Sequence, residues 1–522
     1  MPTSTLSPSA IIQKLFSASE EHDSLPLRVA EHFSAVYNED DALNQVPHLC
    51  SSSRNGSIVR FNAMIQDTSP SPELYLFRLG DKHGGWGLVD DDAEESADQV
   101  DYNDLRERTV VWGTSVPGVG KWCEDVVEEE DDSSRYEGQA HKHPIPGAKH
   151  RSAQIKVYDT SIQFKPTQLV TFVGIYASEP LHSQTDTEDA PNVPTLHVLF
   201  SRPLPDTILP VDSSSSAAAN RASVRAELIR WIAQKALGGD ELVAEKVLLS
   251  VIGRVHSRNP PSLPPSLTIA RFPAPTVDPS SSKSNPGPDP TPTLAHILPL
   301  LLPGTFVHIP LNIPILNTSP FFPVSQNEDL HSGRLQLPKG STVLLTEGGV
   351  EEGELVNQMG ISNLAAVQKM MTSQALDYTF PFSSFTFETD VASVVLASGS
   401  KSAFFKTDTT IPLLPTTTTP DLYKPATEIT LPDEETLASF RALVRGAKAR
   451  TGGIGIGADV SKFIQDDFVQ TRKEEPETKT EDLVRLMMMA KLMALSYGEK
   501  ELTREMWERA KRVEREGRER AK

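Results

Sequence analysis

The stretch Ser341-Thr-Val-Leu-Leu-Thr-Glu347 constrains this chain more than any other. It reads as a buried strand that ends in a carboxylate, opening what looks like the back half of a nucleotide-binding domain. A glycine- and glutamate-rich turn follows at Gly348–Gly353, with Glu351, Glu352 and Glu354 making it acidic. Leu364–Gln374 then has helical spacing, and Tyr378, Phe380, Phe382, Phe385 and Phe387 mark a largely alternating stretch. A second apolar strand, Val391–Ala397, stops at Ser398-Gly399. P-loop enzymes hold magnesium on an acid at the end of such a strand. They also need G-x-x-x-x-G-K-[ST], whose backbone amides and lysine cradle the phosphates. That motif occurs nowhere in the 522 residues. The pattern is therefore that of an ATPase-like scaffold without its phosphate grip.

Length allows roughly three or four domains at about 150 residues each. An apolar fraction of 38% with 41 prolines points to long linkers between them. A formal charge of −20 argues against a free-standing nucleic-acid binder and suits a protein that meets basic protein surfaces. Only Cys50 and Cys123 are present, too few for a cysteine-rich zinc site and in keeping with a reducing compartment. No apolar run approaches the ~18–20 residues of a membrane span. The N-terminus lacks a basic region followed by an apolar core, which argues against secretion.

Along the chain, residues 1–45 carry two amphipathic helices, Pro8–Phe16 and Leu27–Tyr37. They are expected to pack on their own domain, although such a helix can also serve as a detachable partner ligand. Residues 46–205 hold short strands at Ser57–Ile65, Glu73–Phe77, Thr109–Gly113, Val157-Tyr158, Leu169–Tyr176 and Leu196–Phe200. That series suits a small barrel, and Gly174 in the middle of one strand suits a tight bend. The expected form is OB-like. Two highly charged stretches, Asp90–Asp104 and Glu124–Glu137, interrupt it as solvated loops.

Residues 206–430 form the α/β part. Asp212–Asn220 reads as a linker, and Val224–Leu237 as a helix closed by Gly238-Gly239. Asp240 is positioned to cap a further helix over Glu241–Val255. A proline/serine tract occupies 259–292, broken by a strand-like piece at Leu267–Phe272. Residues 431–522 are helical. One helix is marked by Val460, Phe463, Ile464 and Phe468, and another by Leu483, Leu486, Met487, Ala490 and Ala494, with Gly498 as its stop. Thr503 is the N-cap of a third, with Leu502 and Trp507 spaced as a hydrophobic staple.

Motifs that hint at chemistry have simpler readings. Pro117-Gly-Val-Gly-Lys121 lacks the first glycine and the hydroxyl of a phosphate loop, because Ser115 and Trp122 stand there. Gly399-Ser-Lys-Ser402 has the wrong order and reads as a turn. Gly453-Ile-Gly-Ile-Gly-Ala458 follows a helix-like stretch where a dinucleotide fingerprint demands a strand, so it reads as an inter-helix loop. His141, His143 and His150 crowd one loop without an acid or cysteine at fixed spacing. No residue is put forward as catalytic, cofactor-binding or metal-ligating.

Taken together, the chain resembles the mini-chromosome maintenance (MCM) complex-binding protein family. The resemblance rests on Val59-Arg-Phe-Asn-Ala-Met-Ile-Gln-Asp67 with Glu73-Leu-Tyr75, on Asp104–Arg108 running to Ser115–Gly118, and on Gly239–Glu245 with Leu248-Leu249. It continues through Leu335–Pro338 into Leu344–Glu347, and through Asp467–Lys473. The clearest block runs from Glu481–Arg485 through Ala490–Ser496 to Trp507–Lys511. The resemblance implies an α/β multidomain protein laid out like an MCM helicase subunit: an N-terminal OB-like β-barrel, a degenerate AAA+-like domain without Walker A, and a C-terminal helical lid. It implies a nuclear, non-catalytic regulator of DNA replication, without cofactor, that binds MCM helicase subunits and assembles, chaperones or unloads the complex from chromatin. Where relatives have an Asp-Glu pair after the strand, this chain has Thr346-Glu347. Two alternatives stand beside this reading. One is a residual ATPase that borrows a partner's phosphate loop and uses Glu347. The other is a single-strand nucleic-acid binder that stacks bases on Phe61, Tyr75 and Phe77.

Overall fold

The computed structural model describes residues 7–18, 24–79, 81–87, 101–123, 139–181, 191–209, 220–275, 291–327, 329–349, 356–416 and 422–521. Most of the two acid-rich stretches, most of the 212–220 linker, residues 276–290 of the proline/serine tract and the acids at 351–354 lie outside them. Among the described residues, no helix is long and apolar enough to cross a membrane.

The chain opens with helices α1 (Pro8–Ser17) and α2 (Leu25–Val36) and the short α3 (Asp40–Asn44). Pro8 enters at the first turn, and the Ser7 side chain accepts from the Ala10 amide. Ile12, Phe16, Leu25, Val29 and Phe33 share one apolar cluster with Phe77, Trp86, Ile175 and Phe200 of the neighbouring sheet. The N-terminal helices thus pack on their own domain.

That sheet contains β1 (Ile58–Asp67), β2 (Glu73–Leu76), β3 (Leu105–Ser115), β4 (Ser152–Val157), β5 (Leu169–Pro180) and β6 (Asn192–Pro203). β1 pairs antiparallel with β5, and β5 with β6. β6 runs parallel to β4, β4 antiparallel to β3, and β3 antiparallel to β1. The pairings thus return to the strand from which they start, while β2 extends the outer part of β3. Val59, Phe61, Ala63 and Ile65 alternate along β1 and join Val111, Ile155, Phe172 and Leu196 in the interior. Register shifts between Val173 and Gly174, where β5 bends against β6. A Cβ on Gly174 would lie 2.4 Å from the His197 carbonyl oxygen, so only glycine allows that approach.

The second half begins with α4 (Arg221–Ala236) and α5 (Glu241–Val251). Gly238 and Gly239, both at positive φ, separate them, and Asp240 caps α5 by accepting from the Val243 amide. Then follow β7 (Leu267–Ala270), α6 (Thr293–Leu301), β8 (Phe306–Asn312), α7 (Ile313–Thr318) and the hairpin β9 (Val324–Gln326) and β10 (Asp329–His331). Next come β11 (Ser341–Gly349), α8 (Gln358–Ser373), the hairpin β12 (Ala375–Phe380) and β13 (Ser383–Glu388), then β14 (Val391–Leu396) and β15 (Thr409–Pro412). Five of these strands form a parallel sheet in the order β8-β11-β14-β7-β15. Burial on both faces explains the apolar runs: Val343, Leu344 and Leu345 of β11, and Val394 and Val395 of β14, are all fully buried. Leu267–Ala270, a short island inside the proline/serine tract, is an interior strand of this sheet. The four strands of the two hairpins make a separate sheet in the order β10-β9-β12-β13.

Four helices close the chain: α9 (Glu434–Lys448), α10 (Ala458–Glu474), α11 (Thr480–Tyr497) and α12 (Arg504–Ala521). Gly498 ends α11 at φ 76°. Thr503 caps α12 through the Met506 amide, and the staple pair Leu502 and Trp507 is buried. Asp467 on α10 accepts from Trp507 Nε1 at 2.9 Å and from Lys511 at 2.7 Å, binding α12 to α10. One apolar core runs through α4, α5, α6, the adjoining face of the parallel sheet and all four closing helices. The helical end therefore shares its core with the α/β part. α11 is buried along Met489–Ser496, whereas Val484 near its start is exposed and Leu486 is half-buried.

Candidate functional site

In open α/β sheets, ligands bind beyond the carboxyl ends of the strands at the point where strand order reverses. β7 is the first of the five parallel strands in sequence and has later strands on both sides, β14 and β15. Its carboxyl end is therefore the switch point. β7 and α6 are the strand and helix that flank 271–292 in the chain, as a phosphate loop is flanked; 276–290 lie outside the described residues.

The described atoms at this edge are engaged by the chain itself. Arg271 sits at φ 55°, and its amide donates to the Gly399 carbonyl at 2.8 Å. The Phe272 amide donates to the Ala397 carbonyl at 2.9 Å, and its ring is buried beside Tyr423. In a phosphate-binding loop such amides point at the ligand. At the start of α6 the Thr293 amide donates to the Leu422 carbonyl at 2.8 Å, while the Thr293 hydroxyl accepts from the Lys424 amide at 2.7 Å. That helix N-terminus, the usual seat of an anion, already meets a carbonyl.

Glu347 lies near the end of β11, opposite Leu311 of β8 and one residue past the pairing with β14. The Ser402 hydroxyl donates to one carboxylate oxygen and the Ala403 amide to the other at 2.9 Å. Gly399–Ser402, a turn after β14, thus serves as the lock on this acid. Burial pushes the Glu347 carboxyl above the ordinary glutamate range, and the donors from 402–404 only partly oppose it. Neighbouring Thr346 is hydrogen-bonded to His308 Nε2 at 3.1 Å. Burial, reinforced by the charge of His296, brings His308 down to about 4 and keeps it neutral.

The other sequence motifs resolve into joints. Pro117 and Gly118 dock the first sheet onto the second: Phe306 N–H donates to the Gly118 carbonyl at 2.9 Å and the Thr305 hydroxyl to the Pro117 carbonyl at 2.7 Å. Gln66 and Gln336 add a reciprocal contact, Gln66 Nε2 to the Leu330 carbonyl and Gln336 Nε2 to the Gln66 carbonyl. Gly453–Ala458 leads from α9 into the first residue of α10, as an inter-helix loop should. Arg254 ties three regions together, donating to Asp206 and Asp390 at 2.6 Å each and to the Lys448 carbonyl at 3.1 Å.

His143 and His150 stack at 4.6 Å, but His141 is drawn away from them to Asp329 and His331 of the β9–β10 hairpin. The three aromatics offered as base-stacking platforms do not face solvent. Phe61 is interior core of the first sheet, and Tyr75 and Phe77 lie under the N-terminal helices. Alternation along a strand marks a buried face as readily as a stacking face, which is why their sequence context left both readings open. No local signal pointed to Arg271, Phe272 or Thr293, because the partners that occupy them come from 397–399 and 422–424.

Comparison with known proteins places this arrangement. The model of the mini-chromosome maintenance replisome factor family matches residues 127–521. Proteins named mini-chromosome maintenance complex-binding protein are similar to nearly the whole chain. The one from Salmo salar is 25% identical over 97% of this chain and 96% of its own length. That of Arabidopsis thaliana is 25% identical over 95% and 93%, and that of Homo sapiens 28% over 71% and 62%. With the match running from the first sheet's second half through the last helix, the chain belongs to the mini-chromosome maintenance replisome factor family.

Proposed function

We propose that this protein binds MCM helicase subunits and regulates DNA replication in the nucleus by assembling, chaperoning or unloading the MCM complex, without catalysis of its own. The observation that carries the reading is the family match, together with relatives over nearly the full length that bear the name MCM complex-binding protein. The finer architecture fits a subunit mimic. The ring of pairings β1-β5-β6-β4-β3-β1, with β4 and β6 parallel, supports an OB-like barrel. The parallel sheet with β7 inside it and α6 after the loop supports a degenerate AAA+-like domain, and α9–α12 supply its lid.

Ring subunits associate through heterologous contacts, so a mimic that offers one such face occupies a neighbour's place and blocks closure. The self-engaged amides of Arg271, Phe272 and Thr293 and the double hydrogen bonding of Glu347 support a scaffold that has given up nucleotide. The net charge of −20 opposes the DNA that a ring subunit grips.

Purified full-length chain mixed with individual MCM subunits tests the proposal by size-exclusion chromatography, with and without ATP. A stable complex with at least one subunit, formed equally well in both conditions, is expected. Failure of every MCM subunit to bind, alone or in combination, overturns it. Binding of single-stranded oligonucleotide by residues 1–205 in a salt-sensitive manner would instead favour the nucleic-acid alternative.

A further inference from the structure

The hairpin β9–β10 reaches back to the first sheet's loop at a cluster of ionisable groups. Asp329 and His331 are two residues apart on β10, so the strand's alternation puts both side chains on one face. Opposite them is His141, in the short helical turn 140–142. His141 Nε2 and Asp329 Oδ2 are 2.6 Å apart, and the His141 and His331 rings are 4.2 Å apart between centroids. Each of the three offers a ligand atom, and these atoms lie within 4.8 Å of one another. All three side chains are half-buried, so an ion can enter from solvent and keep a water on its open side.

The surroundings are arranged to hold them. The Ser332 amide donates to the His141 carbonyl at 2.7 Å, and the Ser332 hydroxyl to the Lys142 carbonyl at 2.6 Å. These bonds fix the turn and the hairpin against each other before any ligand arrives. Lys142 is buried against the face of Trp112 and bonded to the other Asp329 oxygen, Oδ1. That contact orients the carboxylate so that Oδ2 faces the two imidazoles, the task of an outer-shell partner at a metal centre. Lys142 also pairs with Asp67 at 3.5 Å. Two carboxylates against one ammonium leave one negative charge for a cation to neutralise.

We propose that His141, Asp329 and His331 form a binding site for a divalent transition metal, of the zinc class, that clips the β9–β10 hairpin to the first sheet. Two imidazoles and one carboxylate with an open position suit zinc or cobalt(II) over calcium or magnesium, which prefer all-oxygen shells. Binding at His141 Nε2 requires the ring proton to sit on Nδ1, so that the neutral imidazole ligates through Nε2 beside the ionised Asp329 carboxylate. The site is distinct from the sheet edge at Glu347, and it stands whether or not the MCM reading does.

The test uses the full chain, stripped with chelator and titrated with Zn2+ by calorimetry and with Co2+ by absorbance. One saturable equivalent in the micromolar range or tighter is expected, with a rise in melting temperature that follows mass action. His331→Ala should weaken that equivalent by at least about tenfold, a loss of roughly 1.4 kcal/mol. His143→Ala should leave it unchanged. His331→Gln, which keeps a polar group on the hairpin, serves if the alanine variant loses its fold by circular dichroism. No saturable equivalent in the parent overturns the proposal, as does an equivalent that His331→Ala or the folded His331→Gln variant binds as tightly as the parent.

Discussion

Lys448, at the last turn of α9, is wholly buried at the joint between the closing helices and the α/β part. Its ammonium donates to the Val251 carbonyl at 2.7 Å and to the Thr342 hydroxyl at 3.3 Å. Burial, with the Arg254 guanidinium nearby, brings its pKa down to about 7, and Asp390 only partly restores it. An unfolded lysine titrates near 10.4. Between these values the unfolded chain holds a proton that the folded chain has lost, so stability rises with pH across that window. Each pH unit is worth about 1.4 kcal/mol when the difference is one full proton. Partial titration near pH 7 reduces the gain from pH 7 to pH 9 to roughly 2 kcal/mol. Lys448→Met removes this term and also leaves the Val251 carbonyl without a donor, a pH-independent loss of about 1 kcal/mol. The assay is thermal and urea unfolding of parent and variant side by side at pH 7, 8 and 9, and the readout is the difference between them. The parent should gain on the variant by roughly 2 kcal/mol across that range. Parallel profiles would show that Lys448 keeps its proton in the folded state and would refute the reasoning.

Three further outcomes follow from named contacts. Gly174→Ala should destabilise the chain by about 1–3 kcal/mol, since its methyl would meet the His197 carbonyl oxygen at 2.4 Å; an unchanged melting temperature would mean that β5 and β6 can slide apart freely. Leu492→Asp places a charge in the shared core and should cost at least about 4 kcal/mol, melting α4–α6 together with α9–α12 and abolishing MCM co-purification. A folded α/β part in that variant, seen as a retained protease-resistant fragment, would show that the two regions are cored separately. Glu347→Gln keeps one acceptor oxygen for the Ala403 amide but turns an NH2 toward the Ser402 hydroxyl, so it should cost about 1–2 kcal/mol without altering MCM binding; loss of ATP turnover in a mixed assembly would instead revive the ATPase alternative.

Much of the secondary structure was legible because it rests on short-range chemistry. Asp240, Gly498 and the Leu502–Thr503–Trp507 group act within one turn of their helix ends, so their residue types suffice to place them. β11 and β14 declared themselves by the apolar stretches Val343–Leu345 and Val394–Ala397, because both of their faces are covered. Local rules misjudged extent where tertiary packing took over. α8 begins at Gln358, capped by Asn357, ahead of the first strongly periodic residues, and α5 stops at Val251, where Arg254 turns toward Asp206 and Asp390. Leu486, on the apolar face by its spacing, is half-buried, packed at the margin of the core that encloses the second half of α11.

The sequence alone determined that no Walker A motif exists, that the first folded region is rich in strands, and that the end is helical, since each follows from residue identity or from a period of two or about 3.6. Only the tertiary structure decided what fills the place of the missing phosphate loop. The segment Leu267–Ala270, strand-like already in its sequence, owes its place between β14 and β15 to parallel neighbours more than a hundred residues later in the chain, and the amides beyond it are bonded to carbonyls of 397–399. Likewise His141 meets Asp329 across 188 positions, a pairing that no spacing rule can express. Periodicity reports which face of an element is buried; which element covers it depends on how the whole chain closes its core.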